Sequence, residues 1–137
     1  MRYLFFYYKD IKMVELFYTQ EHQWISMDNS IGTVGITNFA QKQLGELVFI
    51  ECPEVQKFYS KNEEVAVVES SKAASEVYMP VDGTILEINL ILETKPSLIN
   101  SNPESKGWIF KTKISNITDL NQLMNLESYK SFLDESN

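Results

Sequence analysis

Apolar and polar positions alternate along most of this chain in runs too short for helices, the mark of half-buried strands. Trp24 to Ser26 and Ile31 to Ile36 flank the turn Asp28-Asn29-Ser30, and Val14 to Tyr18 precedes them, as in an antiparallel meander. Leu47 to Glu51 is stopped by Cys52-Pro53, because proline cannot donate to a central ladder. Runs at Glu64 to Glu69, Glu76 to Val81, Thr84 to Asn89 and Trp108 to Ile114 complete a set of short strands suited to a sandwich or barrel.

Helical spacing interrupts this pattern in few places. Thr37 is placed to cap TNFAQKQLG, with Phe39, Gln43 and Leu44 toward one face and Gly45 as the left-handed stop. From Thr118 on, Leu120, Leu123 and Met124 recur at helical spacing, and Asn125 starts a second stretch with Tyr129, Phe132 and Leu133 inward. Such stripes cover their own core more often than they offer a groove to a partner. Two segments 38 residues apart, GELVFIE from Gly45 and GTILEIN from Gly83, share a leading glycine and aliphatics at the same three offsets, a trace of a duplicated strand unit with two-fold pseudo-symmetry.

Composition narrows the chemistry. The 137 residues, 44% hydrophobic and 23% charged, suffice for one core. No apolar run approaches the roughly 18 residues of a membrane-spanning helix. Twelve basic against nineteen acidic residues give −7, which argues against tracking phosphates on a nucleic acid. A lone Cys52 excludes an internal disulfide, and a lone His22 leaves a hydrolytic triad one candidate and a metal site almost none. His22 reads as an ordinary hydrogen-bonded histidine, Cys52 as a small buried hydrophobe, and Trp24 and Trp108 as core residues. Asp82-Gly83 is a turn signal, and Gly107 reads as a point where the backbone turns into the last strand.

Residues 1–13, MRYLFFYYKDIKM, differ from everything after them. They hold five of the seventeen aromatics and carry +2; without their three bases and one acid the body has nine basic and eighteen acidic residues, or −9. The apolar block Tyr3 to Tyr8 is shorter than the roughly 7–15 residues of a signal-peptide core, and no small-residue cleavage pattern follows it. The expectation is an extension, residues 1–13, before a single domain of residues 14–137; an added edge strand or partner-binding segment is the sharper reading.

The segment VAVVESSKAASEVYMPVDG alternates at Val65 and Val67, loses apolar residues from Glu69 to Glu76, and resumes at Val77, Met79 and Val81. Two strands with a small polar connection predict a hairpin that carries Lys72 at its tip, beside Ser70, Ser71, Ala73, Ala74 and Ser75. An exposed lysine amine, with an ordinary pKa of about 10.4, is a poor nucleophile by itself. As a target for acylation it needs no tuning, because an enzyme supplies the activated acyl group. On composition alone, a solvated turn lysine is the commoner case.

The flanking residues change that. ESSKAASE (Glu69 to Glu76) resembles the lipoyl-lysine signature of glycine cleavage system H proteins, usually close to E-S-V-K-A-A-S-D, and the resemblance extends through FYTQEHQW, GTVGITNFAQKQLGELVFIECPEV, PVDGTILEIN and LINSNPESKGWIFK in the family's order. It implies a mostly β fold, a barrel-sandwich hybrid of two small antiparallel sheets like a lipoyl domain, with a short internal helix and C-terminal helices. It also implies a carrier rather than an enzyme. Lys72 would bear (R)-lipoate in amide linkage and shuttle the aminomethyl group of glycine from glycine decarboxylase to the aminomethyltransferase, with dihydrolipoamide dehydrogenase reoxidising the arm. A lipoate ligase or octanoyltransferase would load it, recognising Glu69, Ser70, Ala73 and Ala74. The family docks its loaded arm in a cleft, here mapped to Glu21, Gln23 and Glu76; carboxylates there would hold a cationic amine.

Three departures from the family pattern stand out. The usual H-E-W is His22-Gln23-Trp24, so an amide replaces a carboxylate; Glu76 stands where Asp is commoner; Ser71 replaces an aliphatic residue. Glu21 or Glu76 is therefore expected to carry the charge contact, with Gln23 keeping a hydrogen bond. Lipoyl domains of 2-oxoacid dehydrogenases and biotin carriers share the swinging-arm hairpin, though biotin carriers usually place Met on both sides of the lysine. The same chain would also suit a relay of octanoyl or lipoyl groups, or an unmodified interaction module. A monomer in the bacterial cytoplasm, or in the mitochondrial matrix after trimming, is expected, with no membrane or nucleic-acid partner.

Overall fold

The computed structural model describes residues 5–8 and 11–136. β3 (Phe17–Tyr18), β4 (Gln23–Asp28) and β5 (Ile31–Ile36) form the expected meander; β11 (Phe110–Ile114), β10 (Gly83–Ile88) and β7 (Phe58–Tyr59) extend it into a six-stranded sheet ordered β3-β4-β5-β11-β10-β7. β6 (Leu47–Glu51), β8 (Glu64–Ser70) and β9 (Ala74–Tyr78) form a three-stranded sheet in that order, and all its pairings are antiparallel. One core joins the two sheets, with Ile25, Val34, Ile85 and Phe110 from the larger and Leu47, Ile50, Val68 and Val77 from the smaller. Each such side chain removed from water contributes about 1.5–3 kcal/mol, so these alternating positions hold the sandwich closed.

The run from Val14 to Tyr18 is not one strand. Val14 ends β2 (Ile11–Val14), which pairs antiparallel with β1 (Phe5–Tyr8) in a separate two-stranded sheet, and Glu15-Leu16 links it to β3. Residues 1–4, 9 and 10 lie outside the described residues.

Helix α1 (Asn38–Leu44) forms where Thr37 caps it: Thr37 Oγ1 accepts from the Ala40 amide at 3.3 Å, and Gly45, at φ 83°, ends it. Its buried face is Gln41 and Leu44, whereas Gln43, expected inward, is exposed. The reason is polar: Gln41 Nε2 donates to Asn38 Oδ1 at 2.7 Å and its Oε1 accepts from Asn100 at 2.8 Å, so burial leaves no unpaired amide. Asn100 lies in α2 (Leu98–Ser101), which the apolar pattern does not signal. Gly107 ends the turn that leads into β11, as expected, and a β-carbon there would also stand 2.7 Å from the Asn102 carbonyl oxygen and 2.8 Å from Ile99 Cα.

The C-terminal expectation divides into a 3-10 turn, Ile117–Gln122, and α3 (Leu126–Ser136), where Asn125 Oδ1 accepts from the Ser128 amide at 2.8 Å. Tyr129 faces inward and joins Tyr18 and Trp24 in a second apolar cluster, with Phe132 and Leu133 packed on it. Cys52 is half-buried against the main core, and burial first, then Glu93, pushes its thiol pKa up.

The repeated segments fall in different sheets, as β6 and β10, yet behave alike. Leu47 and Ile85 are buried, and in both strands the pairing register slips at the next residue, leaving Val48 and Leu86 exposed. Their glycines differ. Gly45 supplies a left-handed backbone, while Gly83 lies where a β-carbon would collide with Thr112 Oγ1.

Candidate functional site

β8 and β9 make the expected hairpin, with Ser71, Lys72 and Ala73 as its connection. One hydroxyl organises it. Ser70 Oγ accepts from the amides of Lys72 at 3.3 Å and Ala73 at 3.1 Å and donates to the Ala73 carbonyl at 3.2 Å, while the Ser70 amide donates to the same carbonyl at 2.8 Å. Serine favours this local bonding over a regular ladder. Alternation along β8 is interrupted by a register shift between Glu64 and Ala66, so Ala66 and Val68 turn inward and Val67, expected inward, is only half-buried.

Lys72 is exposed, as are Ser71, Ala73 and Ala74. Its side chain passes over the end of α1, with Cε 3.5 Å and Nζ 4.0 Å from where a β-carbon on Gly45 would stand. Beneath this point Asn100 fixes the chain: its Nδ2 donates to the Gly45 carbonyl at 2.9 Å and its Oδ1 accepts from the Leu47 amide at 2.9 Å. Sequence reasoning names neither Gly45 nor Asn100 as a neighbour of the lysine. The helix stop at Gly45 is a local signal of its own kind, and no signal exists for a residue that arrives from α2.

Glu69 is half-buried and sits opposite Phe49 on one side and Ala74 on the other. Glu76 is exposed on β9 opposite Val67. Carboxylates gather near Tyr78, whose hydroxyl pKa is raised chiefly by Glu76, then by desolvation, Glu21 and Glu64. Two of the three residues mapped to the cleft, Glu21 and Glu76, therefore act on the same phenol.

Gln23 is turned inward, 2% exposed. Its Oε1 accepts from Thr19 Oγ1 at 2.7 Å and its Nε2 donates to the Glu21 carbonyl at 3.0 Å, while its backbone amide donates to Thr19 Oγ1 at 3.1 Å. Both ends of the amide are thus occupied within the turn that carries Glu21. His22 occupies that turn with φ 68°, and its Nδ1 lies 2.8 Å from the Tyr129 hydroxyl, which in turn lies 2.8 Å from Thr37 Oγ1. Its ring lies among Phe39, Tyr129 and Phe132, with centroids 4.7, 5.8 and 5.9 Å away. Burial lowers the His22 pKa, partly opposed by Glu21. Trp24 is 2% exposed, and its Nε1 donates to the carbonyls of Ile36 at 3.0 Å and Pro103 at 2.9 Å.

Known proteins share this arrangement. A family model described as "Glycine cleavage H-protein" matches residues 16–136. The glycine cleavage system H protein of Xanthobacter autotrophicus is 48% identical over 122 residues, covering 89% of this chain and 98% of its own. That of Thermotoga maritima is 47% identical over 115 residues, covering 84% and 93%. Among solved structures, a glycine cleavage system H protein from Mycobacterium marinum superimposes with a TM-score of 0.79 at 30% identity, over 85% of this chain and 94% of that one. The match begins after β2 and takes in both sheets, the Lys72 hairpin and the turn of Glu21, so the chain belongs to the glycine cleavage H-protein family.

Proposed function

We propose that this chain is the lipoylated carrier of a glycine cleavage system, with (R)-lipoate in amide linkage to Lys72. The observation that carries this reading is an exposed lysine at the tip of a serine-locked hairpin, inside ESSKAASE, with only small side chains around it. The residues present suit such a group, because Ser71, Ala73 and Ala74 leave the amine open on both sides. Lipoate supplies two sulfurs on a long arm, one of which takes the aminomethyl unit between glycine decarboxylase and the aminomethyltransferase. Dihydrolipoamide dehydrogenase is the third partner. The tether raises local concentration rather than reactivity.

The protein's own part is to present, dock and release. Ser70 holds the tip; Glu69, Ala73 and Ala74 offer a small acidic surface to a lipoate ligase or octanoyltransferase. Glu21 and Glu76, which act on the same phenol, are suited to hold a cationic amine. Gln23 positions the turn that carries Glu21 instead of reaching the arm, since its amide is already occupied. The carrier domain is residues 14–137, with 1–13 as an extension, and it works as a monomer in the bacterial cytoplasm.

Intact-mass measurement of protein made in a lipoylating host tests the reading. A lipoyl-sized addition that disappears in Lys72→Arg is expected. A biotin-sized addition, or none, overturns it. For the cleft, Glu21→Ala and Glu76→Ala are each expected to speed hydrolysis of the loaded arm, and unchanged rates in both would remove that assignment.

A further inference from the structure

The pairing register determines what the outer face of the small sheet carries. One cross-strand row is Phe49–Glu69–Ala74, the next is Glu51–Val67–Glu76, and the third is Glu64–Tyr78. Ile50, Val68, Val77 and Ala66 alternate to the core side and are buried. Phe49, Val67 and Tyr78 therefore run as an apolar diagonal across the outer face, stepping one strand per row. Phe49 is 53% exposed. Around the diagonal stand Glu51, Glu64, Glu69 and Glu76, and β6, β8 and β9 contain no lysine or arginine. The cation that adjoins this face along its own strands is Lys72, in the connection that caps its first row.

We propose that this face is the docking surface for the enzyme that acylates Lys72, and that the matching surface is an apolar pocket for Phe49 rimmed by basic side chains. The proposal rests on the reading of Lys72 as an acylation site. Two arguments select this partner over others. Enzymes that act on the end of a long arm can meet the carrier at arm's length, whereas the acylating enzyme must bring its reacting carbon to Nζ itself and so must cover the tip and the row beneath it. A face with four carboxylates and no base in its strands also selects a basic partner and steers its approach.

The chemistry at the tip needs no redox partner. The amine of Lys72 attacks the carbonyl carbon of an acyl-adenylate; the amide C–N bond forms, the acyl C–O bond to phosphate breaks, and AMP leaves with that electron pair. The two surplus protons of the ammonium pass to bases of the enzyme.

Unmodified wild type, Phe49→Ala, Phe49→Lys and Phe49→Tyr would be acylated by a lipoate–protein ligase with lipoate and ATP, following mass gain against carrier concentration. Because Phe49 is largely exposed, the variants should keep the wild-type thermal midpoint. KM is expected to rise about fivefold for Phe49→Ala and at least about tenfold for Phe49→Lys, with kcat within about twofold, as for an anchor at an interface. Phe49→Tyr should keep the wild-type KM. Phe58→Ala, removing a phenylalanine that is 51% exposed on the other sheet, should leave KM unchanged. If wild type gains no acyl group on Lys72, the lysine reading itself fails. If wild type is acylated and the Phe49 variants keep its KM, or Phe58→Ala weakens binding as much, the docking face fails alone.

Discussion

Two connections carry the residues of interest, and they are built in opposite ways. The turn at 19–22 is supported from inside: Gln23 is buried beneath it, Thr19 and Gln23 share three hydrogen bonds, and His22 is wedged among aromatic rings under α3. The tip at 71–73 is held by one serine, through its exposed hydroxyl and its backbone amide, and nothing large packs on it. The difference follows from what each presents. Under the proposed function, a carboxylate that holds the arm at a fixed place is served by a rigid turn behind it, and a lysine that enters another protein's active site is served by an exposed tip with small neighbours.

Three perturbations separate the two connections. The largest effect is expected from Gln23→Ala, which takes away the acceptor of the Thr19 hydroxyl proton and the side-chain donor to the Glu21 carbonyl and opens a cavity. A loss of about 2–3 kcal/mol by urea denaturation is expected, with acylation of Lys72 intact. A loss under half of that would mean the turn is held by its backbone bonds alone.

A middle effect comes from pH. Burial holds the folded-state pKa of His22 below its ordinary value of 6.5. Above that value the histidine is neutral folded and unfolded, and its contribution is complete; as pH falls below it, the unfolded chain takes up the proton first, and stability is lost down to the lower folded pKa. The urea midpoint should therefore fall between about pH 7 and pH 5 by more in wild type than in His22→Asn. Equal slopes would show that the proton is accommodated beside Tyr129.

The smallest global effect belongs to Ser70→Ala. Water replaces the lost bonds at an exposed turn, so stability should drop by less than about 1 kcal/mol. Hydrogen exchange of the Lys72 and Ala73 amides should nonetheless rise, because the hydroxyl is their acceptor. Unchanged protection would locate the rigidity of the tip in the Ser70 amide to Ala73 carbonyl bond instead.

Legibility in the sequence follows the range of the forces involved. β5 and β6 have the bounds their alternation predicts, and the Thr37 cap, the Gly45 stop and the Asn125 cap act where the pattern places them. These are effects of neighbouring residues on one another. Pattern and structure part where distant partners intervene. Gln43 and Gln41 are equally polar by pattern, and Asn100 of α2 decides which one is buried. Val67 loses its place in the core to a register shift in its own strand, which only the partner strand reveals. Gly107 reads as a turn residue and lies in a turn, but its close approach to the backbone of α2 leaves no mark in its own neighbourhood.

The sequence by itself determined most strands of the two larger sheets, the helix caps, the Lys72 hairpin and, through ESSKAASE and the segments around it, the family. Local backbone preference and alternation suffice for those. Tertiary structure decided that Gln23 faces inward while Glu21 and Glu76 act on one phenol, that Lys72 crosses Gly45 above an asparagine from α2, and that Phe49 shares a row with Glu69. Those outcomes depend on cross-strand register and on which sheet each strand joins, and both are settled by burial of the common core.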